Sequence, residues 1–137
     1  MDKIQGKASA DLLAAIDSGY DRPLSVTTEH VGVAVVLSVR GEVDMFNAQT
    51  WQQLLAEAAD LASAPGPLIV DANEADFMAM HAYVALVEQS RHCRRRGLGL
   101  RLVSGQRTVA RALGIGGWNA DLPLYPDVDA ALNVTPS

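Results

Sequence analysis

Gly66-Pro67-Leu68-Ile69-Val70-Asp71-Ala72-Asn73-Glu74-Ala75-Asp76-Phe77-Met78-Ala79-Met80-His81-Ala82-Tyr83 is the stretch whose pattern decides the fold. Leu68, Ile69 and Val70 form a short apolar run without alternation, as in a central strand covered on both faces or flanked by helix on one. Asp71 marks its carboxyl end. From residue 79 the apolar spacing becomes helical, because Tyr83, Leu86, Val87, Ser90 and Cys93 fall along one side of residues 79–96. Basic residues crowd the last turn, where the helix dipole favours cations, completing a run of Arg91, Arg94, Arg95 and Arg96, and Gly97 supplies the stop.

Working upstream, Trp51, Leu54, Leu55, Ala58 and Ala62 recur at helical spacing, with Asn47 as the expected N-cap and Pro65-Gly66-Pro67 as the stop. Before that helix, residues 24–30 alternate weakly, Gly32 punctuates, and Val33-Ala34-Val35-Val36-Leu37-Ser38-Val39 reads as a buried strand. Together they predict an antiparallel hairpin. Downstream, residues 98–103 read as a strand, 106–113 as a helix, 122–125 as a short edge strand and 127–132 as a final helical turn or two. The order ββαβαβαβα requires parallel strands wherever a helix intervenes. The expected fold is therefore α/β: a mixed, mostly parallel sheet with an N-terminal antiparallel hairpin and helices packed on it.

The chain has 137 residues, 49% hydrophobic and 20% charged, with a net charge of −5. That length suits one domain burying roughly two thirds of its unfolded surface. The balance departs from both disordered chains and basic nucleic-acid binders. The single Cys93 cannot form an internal disulfide, and the start Met1-Asp2-Lys3-Ile4-Gln5-Gly6-Lys7 lacks the apolar stretch of a secretory signal, so the cytoplasm is expected. The longest apolar runs fall well short of the roughly 20 residues that span a bilayer, and no membrane insertion is expected. Residues 1–23 read as an N-terminal extension: the helical pattern of Leu12, Leu13 and Ile16 ends at Ser18-Gly19, before Asp21-Arg22-Pro23. Whether the extension docks on the domain stays open.

Gly41-Glu42-Val43-Asp44 closing a strand before a helix, then Asp71 after the next strand, resembles the STAS family of bacterial anti-sigma factor antagonists, and the order of elements agrees. The resemblance assigns residues 24–134 to a STAS domain. Where that family usually has Asp-Leu-Ser-Gly-Val-Thr-Phe-Ile-Asp-Ser-Ser-Gly-Leu, this chain has the thirteen residues from Asp71 to Tyr83. Asp71, Phe77 and Met78 keep the framework, as do Gly97 and the Leu113-Gly114-Ile115-Gly116 segment. The departures fall on the functional tetrapeptide: Ala79 replaces aspartate, Met80 the phosphorylated serine, His81 the second serine and Ala82 the glycine. A phosphate would add a charge of about −1.5 to −2 at a helix N-terminus, and Met80 has no oxygen to carry it. No Ser or Thr occurs between Ala64 and Gln89.

What the resemblance implies is a partner-binding face made of Asp44, Met45, Phe46 and Asn47 with Ala79, Met80, His81 and Ala82. Met45, Phe46 and Met80 make it apolar and adaptable. The other reading, in which these three pack into the core or against the N-terminal segment, stays open. The implied partner is an anti-sigma factor of the histidine-kinase-like, serine-kinase ATPase type, and the implied function is its antagonism by protein–protein binding, without phosphorylation at the usual serine position. A transporter-associated or nucleotide-binding STAS module is the alternative, and another STAS protein or a homodimer is a further partner. Tyr83, the nearest hydroxyl, sits in helical phase with the core.

Other residues point less far. The arginine run could grip an oxyanion but reads first as a solvated helix end. Asp71, Glu74 and Asp76 could hold magnesium, yet no second ligand set or phosphate-cradling loop accompanies them. His81 could act as acid, base or ligand. His92 and Cys93 are sequential and point about 100° apart on a helix. No nucleophile elbow or CxxC spacing occurs, and Trp51 and Trp118 read as core and cover. A binding module without enzyme activity, cofactor, metal or nucleic-acid partner is expected.

Overall fold

The structure is a computed structural model in which residues 23–134 are described. The expected N-terminal extension and its Leu12, Leu13 and Ile16 pattern lie outside the described residues. A five-stranded sheet has the order β1-β2-β3-β4-β5. Its strands are β1 (Ser25–Val31), β2 (Ala34–Val43), β3 (Leu68–Met78), β4 (Leu100–Val103) and β5 (Leu124–Tyr125). The helices are α1 (Ala48–Leu61), α2 (Met80–Arg95), α3 (Arg107–Gly116) and α4 (Val128–Leu132). β1 and β2 pair antiparallel, and every later pairing is parallel.

Three successive crossovers advance in one direction across the sheet, and right-handedness puts their helices on one face. Val26, Val35, Leu37, Leu68, Val70 and Leu102 point to that face and form the main core with Trp51, Leu55, Leu86, Val109 and Leu113. On the other face, Ala34, Val36, Ile69 and Val103 are covered by Ala131, Val128 and Leu132 of α4. Both faces of Leu68-Ile69-Val70 are thus buried, which is why this run does not alternate.

Three expectations change. Val33 is not part of the buried strand: Val31 pairs with Ala34, so Gly32 and Val33 form the hairpin turn and Val33 is 75% exposed. β3 does not end at Asp71 but runs to Met78, because β2 keeps pairing with it through two register shifts. Its partner on the other side, β4, stops at Val103 opposite Asp71, so beyond Asp71 that edge of β3 has no strand beside it. Gln106 takes over there, its Nε2 donating to the carbonyl oxygens of Asn73 and Ala75, both at 3.0 Å. Asn47 precedes α1 but does not cap it with its side chain.

The end of α2 follows expectation. Gly97 has φ +76°, and the amides of Gly97 and Leu98 donate to the carbonyls of Arg94 and Cys93, a closure that a residue with a side chain would strain. α2 then leaves room for β4, which pairs with the first four residues of β3.

Candidate functional site

The parallel register sets Val43 beside Met78, so the loops leaving β2 and β3 emerge side by side at the carboxyl end of the sheet. After β2, Asp44 and Asn47 lock residues 44–47 into a tight turn. The Asp44 Oδ1 accepts from the amides of Phe46 (2.8 Å) and Asn47 (3.1 Å). In return the Asn47 Oδ1 accepts from the Asp44 amide at 2.9 Å, and its Nδ2 donates to the Glu42 carbonyl at 2.9 Å. With both polar side chains turned inward and buried, Met45 and Phe46 are left pointing out, 73% and 62% exposed.

The second loop is pinned to the first. The Ala79 amide donates to the Val43 carbonyl at 2.9 Å, and the His81 Nε2 lies 3.0 Å from the Asp44 carbonyl oxygen. A carbonyl only accepts, so that ring nitrogen is the donor. The indole N–H of Trp51 reaches across from α1 to the Ala82 carbonyl at 3.1 Å. Met80, first residue of α2, is 43% exposed, and Val84 one turn later is 42% exposed. No side chain among the described residues caps α2, so the positive end of its dipole faces this surface.

The eight residues implied from sequence therefore divide. Met45, Phe46, Met80 and His81 are exposed and Ala79 is half-buried, while Asp44, Asn47 and Ala82 are buried and support the others. Met45, Phe46 and Met80 do not pack into the core. Sequence reasoning missed the neighbours that widen the apolar area, Phe77 at 51% and Ile115 at 73% exposed. Ile115, isolated between Gly114 and Gly116, was a readable signal, since a branched apolar residue between two glycines has little reason to be there for packing. Phe77, Met80 and Ile115 border a groove of 380 Å³ between the end of β3, the start of α2 and α3.

With this geometry in view, the STAS domain model matches residues 25–131. The chain belongs to the STAS domain family. It is 48% identical over 109 residues to a Mycobacterium tuberculosis protein named "Putative anti-anti-sigma factor Rv2638", covering 80% of this chain and 74% of that one. It is 42% identical over 112 residues to the anti-sigma-F factor antagonist RsfA of the same species, covering 82% and 88%. Among solved structures, an anti-sigma factor antagonist from Mycobacterium paratuberculosis superposes with a TM-score of 0.71 at 25% identity, over 80% of this chain and 91% of that one.

The remaining candidates of this STAS domain have local explanations. Asp71 and Glu74 line a polar hollow on the α4 side of the sheet, where Arg40 pairs with Glu74 at 3.4 Å, whereas Asp76 lines the groove. Among the described residues no three His, Cys, Asp or Glu side chains gather as a metal site. The arginine run is more than a solvated helix end. Arg91 and Arg94 bind Asp121 at 3.0 and 3.4 Å, and Arg96 donates to the Ala59 and Ala62 carbonyls at the end of α1. Cys93 is buried, which pushes its thiol pKa up, while His92 faces solvent. Tyr83 is buried and its ring stacks on Trp118 at 6.3 Å. No helix among the described residues is long and apolar enough to cross a membrane.

Proposed function

We propose that this STAS domain is a cytoplasmic regulator that binds an anti-sigma factor of the histidine-kinase-like ATPase type, and so releases a sigma factor, by binding rather than catalysis. Residues 24–134 form the acting domain and residues 1–23 an extension of it. Contact is made by Met45, Phe46, Met80 and His81, held in place by Asp44, Asn47 and Ala82. The observation that carries this reading is the exposed thioether of Met80 on the first residue of α2, beside an outward-facing Met45-Phe46 pair. The relatives named as anti-sigma factor antagonists support the class of partner.

Phosphorylation at the usual serine position does not control this binding, since a thioether accepts no phosphoryl group and residues 65–88 contain no Ser or Thr. Affinity purification from the native host recovers an anti-sigma factor if the reading holds. Incubating the protein with that factor and ATP then yields no phosphoprotein. Stoichiometric phosphate near the start of α2, or failure to recover any anti-sigma factor, contradicts it.

A further inference from the structure

The groove beside Met80 is more than apolar surface. Val109 and Ala112 of α3 are buried along it, and Phe77, Met80 and Ile115 stand exposed at its edges. Polar side chains from two helices also line it, Tyr83 from α2 and Thr108 and Arg111 from α3. Tyr83 is 3% exposed as a residue, and its hydroxyl makes no hydrogen bond to the described residues. Burial raises the Tyr83 pKa above its ordinary 10.0, so the phenol stays a neutral donor. Arg111 is exposed, lines the groove and has no ion-pair partner among the described residues. Asp76, the one acidic residue among the described residues that line the groove, is already partnered. The amide of Gln106 is committed to β3 carbonyls.

We propose that this groove is a binding site for a small carboxylate with an apolar body, its anionic head held by Arg111 and the Tyr83 hydroxyl and its body lying against Val109, Ala112, Phe77 and Ile115. A volume of 380 Å³ lies within the range of ligand pockets, about 300–1,000 Å³, and mostly apolar walls with a few convergent polar groups are their usual composition. One guanidinium and one hydroxyl match a single carboxylate; a nucleotide would need a phosphate-cradling loop or a cluster of cations. The site also sits at the carboxyl end of β3, where open α/β sheets present their crevices. Because Met80 borders both the groove and the partner face, a bound carboxylate alters the surface offered to an anti-sigma factor. This regulatory consequence rests on the proposed function; the binding site does not.

The test uses the full chain alone, so its failure is separable from failure of partner binding. Decanoate, kept below its micelle-forming concentration, is titrated while the methyl resonances of Met80, Ala112 and Ile115 are followed by NMR. Saturable shifts at these three methyls are expected. Decyltrimethylammonium, with the same tail and the opposite charge, leaves them unmoved. Arg111→Gln, at an exposed position, weakens decanoate roughly tenfold, and Tyr83→Phe weakens it several-fold, while both variants retain the wild-type fold by circular dichroism. Absence of saturable shifts, equal binding of the cationic tail, or unchanged affinity in either variant overturns the assignment.

Discussion

The imidazole Nε2 of His81 lies 3.0 Å from the backbone carbonyl oxygen of Asp44, tying the first turn of α2 to the loop that follows β2. The contact crosses between the two segments that carry the exposed Met45, Phe46 and Met80. His81→Ala removes one side-chain hydrogen bond without opening the core, because His81 is exposed. A stability loss of about 0.5–1.5 kcal/mol is expected in urea denaturation. Amide exchange at Met45 and Phe46 should rise in parallel, while exchange in β3 stays unchanged.

Asp44 makes the larger contribution to the same loop. Its Oδ1 serves two backbone amides, while its Oδ2 is buried without a partner among the described residues. Asp44→Ala leaves the amides of Phe46 and Asn47 without their acceptor, for an expected loss of about 1–3 kcal/mol. Asp44→Asn keeps the accepting oxygen and should lose distinctly less in the same denaturant titration. Equal losses would mean that charge, and not the pair of accepted bonds, holds the turn.

The Asp121 pair gives a pH dependence. Hydrogen bonding from Arg91, then its charge and the contributions of Arg94, hold the Asp121 carboxyl below its ordinary 3.8, against an opposing effect of burial. A carboxylate with a depressed folded pKa adds stability above its unfolded value and loses it as the pH falls through the folded one. Wild-type stability should therefore drop below about pH 4 more steeply than that of Asp121→Asn, as read by thermal denaturation between pH 5 and 2.

The order and direction of the strands were legible because each apolar run was bounded by a helix pattern or a glycine turn. The length of β3 was not. Beyond Asp71 this strand has a neighbour on one side only, and its polar Asn73, Glu74 and Asp76 look like a loop. What keeps them extended is β2 and the side chain of Gln106, a contact more than thirty residues away in sequence. Met45, Phe46 and Met80 were identified by type, but only the three-dimensional turn shows that Asp44 and Asn47 face inward as their supports. That Tyr83 and Arg111 line one groove depends on two helices meeting and leaves no mark on local spacing.

Restoring the acidic and hydroxyl residues tests the register of the resemblance. The double variant Ala79→Asp with Met80→Ser changes one half-buried and one exposed side chain, so it should fold with a thermal midpoint close to wild type. Aspartate would also gain at the N-cap of α2, which has no side-chain cap. Incubated with the recovered anti-sigma factor and ATP, this variant should become phosphorylated on residue 80 where the wild type does not, as read by mass spectrometry.

The most direct measurement is the binding isotherm of the recovered anti-sigma factor on wild-type protein and on Met80→Glu, each with and without prior incubation with ATP. Glutamate in the first turn of α2 suits the helix dipole, so the variant folds and reports on the surface alone. The expected result is wild-type affinity indifferent to ATP, with a loss of about 2 kcal/mol, roughly 30-fold, in Met80→Glu, the scale of a central interface residue. Equal affinity of the two proteins, or wild-type binding abolished after ATP treatment, would contradict the account.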